Sequence, residues 1–144
     1  MPKSHCIAPF MFAFMLAALI APSTVDAAKR SRGETVVVAV PQGVYVIENP
    51  CALDGTGESI VLTSGSIVLT YDRRERLSSV RYQDVTGIGE VSGETYAVAY
   101  EESHHYQGHR EQFASQMIVT GDGSRLTEQY SGWIPALNRT VSCT

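Results

Sequence analysis

The sequence has little of what usually announces a chemistry. Its three cysteines form no C-x-x-C pair, and it contains neither H-E-x-x-H nor a serine-centred G-x-S-x-G. A paired-thiol zinc site, a helix-borne zinc protease and a nucleophile elbow are therefore not indicated. Cationic charge is also scarce: eleven Lys and Arg stand against fifteen Asp and Glu, for a net charge of −4. Phosphate neutralisation needs a basic face, so nucleic acid is not an expected partner. The short clusters Lys29, Arg30, Arg32 and Arg73, Arg74, Arg76 read as solvated charge, the second diluted by Asp72 and Glu75. No internal repeat, low-complexity tract or, past residue 27, window of helical periodicity is present. That leaves period-two alternation as the organising pattern.

What is there begins with an export signal. Lys3 and the terminal amine precede an apolar run from Ile7 to Ala21, broken by Pro9. The run is shorter than the roughly 20 residues a membrane-spanning helix needs. Val25 and Ala27 occupy the small-residue positions of an A-x-A-like cleavage site. Residues 1–27 are expected to be a cleaved signal peptide with its own helix, residues 28–33 a disordered leader, and residues 34–144 a single β domain. The destination is then secreted or periplasmic, with no stable membrane insertion after cleavage. Removing 27 residues leaves 117, enough for one core that buries roughly 60 to 70% of the unfolded surface. Cys6 departs with the signal, and Cys51 with Cys143 remains as an even pair for a disulfide in an oxidising compartment.

The pattern predicts eight or nine short strands. Glu34 to Val40 and Val44 to Glu48 come first, then Ser59 to Thr63 and Ser66 to Asp72 about a Ser64-Gly65 turn, then Leu77 to Asp84. A glycine loop, Gly87 to Gly93, precedes the clearest strand, which starts at Tyr96 and ends near Gln107. Strands over Glu111 to Thr120, Arg125 to Tyr130 and Leu137 to Cys143 complete a meander. The fold class is all-β: a small antiparallel meander closing as a barrel or as a two-sheet sandwich. An outer-membrane barrel is disfavoured, because Glu and His occupy both faces of the longest strand.

Reactive side chains concentrate at Glu101, Glu102, His104, His105, His109 and Glu111. Imidazole with carboxylate suits a metal or acid–base chemistry, and alternation puts Glu102 and His104 on one face. Glu102, His104 and His109 are accordingly the candidate metal ligands. A solvated hairpin tip, titrating near pH 6.5, is the plainer account. Tyr96, Tyr100, Tyr106 and Trp133 are candidate ligand-binding aromatics, since rings with a polar handle line cavities as well as cores. Gly87, Gly89 and Gly93 do not make a phosphate cradle, because no helix follows them. Asn138-Arg139-Thr140 has the form of a glycosylation acceptor.

Asn49-Pro50-Cys51, Glu58 ahead of a β run, Gly87 to Gly93 leading into Thr95-Tyr96, and the terminal Cys143 form an arrangement. It resembles small secreted bacterial β proteins that have no assigned activity. The resemblance implies a disulfide-linked secreted β fold and brings no site residues with it. The expectation is an exported non-enzymatic module that binds a small ligand, a surface polymer or an extracellular protein, with no catalytic residue and no cofactor. The alternatives are a metal-dependent or acid–base enzyme built on the cluster at 101–111, and a secreted inhibitor presenting Trp133 to Asn138 as a rigid loop.

Overall fold

The computed structural model describes residues 33–144. The expected signal segment 1–27, and the expected leader up to residue 32, lie outside the described residues. Eight strands follow in chain order: β1 (Thr35–Ala39), β2 (Val46–Asn49), β3 (Glu58–Tyr71), β4 (Leu77–Gly89), β5 (Thr95–Gln107), β6 (Arg110–Gly121), β7 (Ser124–Trp133) and β8 (Ala136–Cys143). From β3 to β8 each strand pairs antiparallel with the next. The free side of β3 is shared, β2 pairing with its first half and β1 with its second.

All eight strands belong to one sheet, which runs from β1 and β2 at one edge to β8 at the other and does not close. The expected barrel is therefore corrected to an open sheet, and the sandwich to one sheet rather than two. The strands are also longer than expected, because β3 is continuous. Ser64-Gly65 is not a turn: β3 stays paired with β4 on both sides of it, through register shifts between Leu62 and Ser66. Gly65 has φ +109° and lies so close to β4 that a Cβ would stand 2.5 Å from the Val85 Cα. The glycine lets the strand bend across its neighbour, which is the bulge use of glycine rather than the hairpin use.

Alternation sorts the residues onto two faces. Ile60, Leu62, Ile67, Val80, Val98, Val119 and Leu126 share the core face and are buried. Facing residues on the other side, such as Arg81, Glu101, Ser103 and Gln129, are exposed. The disulfide between Cys51 and Cys143, with Cα atoms 5.3 Å apart, spans 92 residues of sequence and joins the segment after β2 to the end of β8. It thus links the two edges of the open sheet. Beside it Leu53 donates its backbone N–H to Asp122 in the β6–β7 turn at 3.0 Å. The core face is apolar at this pinned end and polar at the other. The change runs along β5 from Tyr96 and Val98 to Glu102, His104 and Tyr106.

Candidate functional site

At the pinned end Glu58 is buried at the start of β3. Its carboxylate accepts from the Tyr96 hydroxyl at 2.6 Å, the Ser92 hydroxyl at 2.7 Å and the backbone N–H groups of Ser92 and Val91 at 3.0 and 3.1 Å. The Tyr96 hydrogen bond and then those from Ser92 favour the charged form against burial, and hold the carboxyl at about 2. Burial, followed by the same bond to Glu58, pushes the Tyr96 phenol up to about 12. A Cβ at Gly89 would fall 2.4 Å from a Glu58 carboxylate oxygen, so Gly89 is the space the carboxylate occupies. Gly87 and Gly89 therefore belong to β4 rather than to a loop, and the turn is confined to the residues after them. Asn49 pairs with Glu58 across β2 and β3, and its side-chain oxygen accepts from the Cys51 N–H at 3.0 Å. The Asn-Pro-Cys, Glu58, glycine and Tyr96 elements meet in one buried anchor beside the disulfide. Tyr96 is wholly buried there, with its hydroxyl on the Glu58 carboxylate.

At the open end the core face carries the cluster singled out in the sequence. His104 is gripped on both sides: Nδ1 by Glu111 and Nε2 by Glu102, the latter at 2.5 Å. Tyr100 donates its hydroxyl to the other oxygen of Glu102. Phe113 meets the imidazole edge-on at 5.3 Å, and Tyr106 stacks against it at 6.3 Å. The Glu102 and His104 side chains are 7% and 12% exposed and that of Glu111 26%, so Glu111 is the opening to solvent. Burial alone would lower the His104 pKa. The hydrogen bonds and charges of the two carboxylates outweigh it and hold the imidazole above its usual 6.5. Burial, then the charge and hydrogen bond of Glu102, pushes the Tyr100 phenol far up.

Two of the three expected metal ligands, Glu102 and His104, are thus brought together and bonded to each other. The carboxylates occupy opposite edges of the imidazole ring, so no single point lies near both of them and a ring nitrogen at once. His109 is exposed in the β5–β6 turn with no bond to either. Among the described residues no group of three or more His, Cys, Asp or Glu is placed to hold a metal ion. Of the aromatics, Tyr96, Tyr100 and Tyr106 share the core face, and the Tyr106 hydroxyl donates to the Leu77 carbonyl at 2.9 Å. Trp133 pairs with Gln112, which pairs with His105, and this places it on the opposite, outer face. The Arg110 guanidinium lies 4.4 Å from the centre of its indole. Trp133 and Ala136 are themselves paired, so the expected rigid loop is a two-residue Ile134-Pro135 turn.

The sequence reading missed a third feature. A groove of about 820 Å³ crosses the sheet, at right angles to the strands, from β1 to β7. One wall is the row Thr35, Thr70, Ser79, Ser103, Ala114 and Ser131, in register across six strands. The other is Val68, Arg81, Glu101, Gln116 and Gln129. Between the rows lie Val80, Glu102, Ser115 and Tyr130, whose side chains belong to the core face; their backbone is the floor. Trp133 lies two residues beyond Ser131 on the same face of β7. These residues are scattered through the sequence, and only the strand register assembles them. Their one trace is that alternate positions of neighbouring strands are small or hydroxylated.

Compared with models of protein families, with curated proteins and with solved structures, the chain matches none. Among the described residues no helix is long and apolar enough to cross a membrane.

Proposed function

We propose that the chain is a non-enzymatic exported β module that binds a surface polymer in the groove across its outer face. The groove carries the reading. It is open along its length, it runs across five strand spacings of about 4.8 Å each, or roughly 24 Å, and it is lined by side chains free to exchange hydrogen bonds. The reactive groups of the core face support the same reading from the other side. Tyr100, Glu102, His104 and Glu111 are bonded to one another, and Glu58 is bonded to Tyr96 and Ser92. In both sets each acid or base holds at least one side-chain hydrogen bond within the cluster. Export is supported by the disulfide between Cys51 and Cys143.

The test is co-sedimentation of the purified protein with insoluble surface polymers: peptidoglycan sacculi, chitin and cellulose. Retention is expected on at least one, and Ala114→Trp, which fills the groove from β6, is expected to remove it. No retention on any of them, or retention unchanged in the Ala114→Trp protein, overturns the proposal.

A further inference from the structure

We infer that the polymer taken by the groove is an uncharged polysaccharide; the inference rests on the groove being the binding surface. Charge is the first argument. The ionisable side chains of the two walls are Arg81 and Glu101, and these are direct cross-strand partners, so their charges offset at one point of the groove. Glu102 contributes floor but turns its carboxylate to the core face, toward Tyr100 and His104. A polyanion laid along the groove meets Glu101 and finds no run of cations; a polycation meets Arg81 and finds no run of acids. Neither gains the multiple neutralisation on which polyelectrolyte binding depends.

Hydrogen-bonding capacity is the second. Thr35, Thr70, Ser79, Ser103 and Ser131 each offer a hydroxyl that both donates and accepts, and Gln116 and Gln129 add amides that do the same. Such a wall suits a ligand whose own groups are donors and acceptors at once and recur along its length. Sugar hydroxyls have that property. An extended peptide is the competing occupant, and the direction of the groove disfavours it. Peptides gain affinity from sheets by adding a strand to an edge. Here the ligand crosses the strands, and the floor amides already serve the ladders between β3 and β7.

The experiment is affinity electrophoresis of the purified protein through gels containing mixed-linkage β-glucan, mannan or dextran, with alginate and dextran sulfate as anionic counterparts. A Gly-Ser-rich synthetic peptide is added as a soluble competitor. Retardation by at least one uncharged polymer is expected, persisting in 0.5 M salt. Ser103→Trp and, independently, Ser131→Trp are expected to weaken it at least tenfold. Both positions are exposed, and a circular dichroism spectrum matching wild type confirms the fold. If the anionic polymers alone retard the protein, or the peptide displaces the glycan, and the Trp variants abolish that binding, the groove stands and the uncharged polysaccharide falls. If binding survives in both folded Trp variants, the groove itself is not the site. If no polymer retards the protein, the inference falls.

Discussion

Two ionisable residues on the core face set opposite limits on stability. Glu58 titrates at about 2 in the fold against an ordinary 4.5, so its contribution is complete above pH 4.5 and is lost as pH falls towards 2. His104 is raised above 6.5, so its contribution is complete below pH 6.5 and is lost as pH rises through the higher, folded value. The reason is visible in the donor count. With Nδ1 and Nε2 both facing carboxylates, only the imidazolium has a proton for each; the neutral ring turns a lone pair on an acid. Urea denaturation from pH 2 to pH 9 is expected to give a plateau with an acid limb and an alkaline limb. Glu58→Gln flattens the first and leaves the second, and His104→Gln does the reverse. An alkaline limb that persists unchanged in His104→Gln excludes the doubly bonded imidazolium as its source. At this scale the sequence was half legible. The shared face of Glu102 and His104 followed from period two, whereas Glu111 on His104, and Glu58 against Gly89, depend on strand pairings that alternation does not specify.

The strands show what governs legibility in the elements. β5, β6 and β7 stood out because regular alternation coincided with short turns at Gly108 and at Asp122-Gly123, and the observed pairing across β5 and β6 has no register shift. β3 and β4 were misread because both interrupt their alternation. Ser64-Gly65 and Gly87-to-Gly89 carry turn chemistry, yet in each place the glycine answers a close neighbour. Gly65 admits Val85, and a Cβ on Gly87 would sit 2.5 Å from the Ile60 side chain. Glycine as punctuation and glycine as clearance look alike in one dimension. The distinction is measurable at Gly65. An Ala there must hold φ +109° and displace β4 backbone, whose nearest atoms are 2.5 and 2.7 Å from the new Cβ. Strain and crowding together are expected to cost at least about 2 kcal/mol, read as a lower urea midpoint with an unchanged slope. A turn residue would tolerate the change with less than about 0.5 kcal/mol, which is the result that contradicts the bend.

For the whole molecule the decisive feature is an eight-stranded sheet that curls without its edges pairing. A hydrogen-bonded barrel removes its edges by closure; this sheet is held at one end by a covalent bond between Cys51, after β2, and Cys143, at the end of β8. Apolar residues gather at that end. Cys143 pairs with Leu126, Leu126 with Val119 and Val119 with Val98, in one row across four strands. Towards the other end the same face turns polar, and there the edges have no such tie. The bridge closes a 92-residue span, for which chain entropy gives on the order of 4.5 kcal/mol. That model places the effect in the unfolded chain. The architecture adds a native-state consequence, since without the bridge β8 is held by β7 alone. The double variant Cys51→Ser, Cys143→Ser is therefore expected to lose about 4 kcal/mol by urea denaturation. It is also expected to show faster amide hydrogen exchange in β8 than in β5 and β6 under native conditions. A stability loss with uniform exchange assigns the bridge to the unfolded chain alone. A loss below about 1 kcal/mol means that the curl of the sheet keeps its edges together unaided.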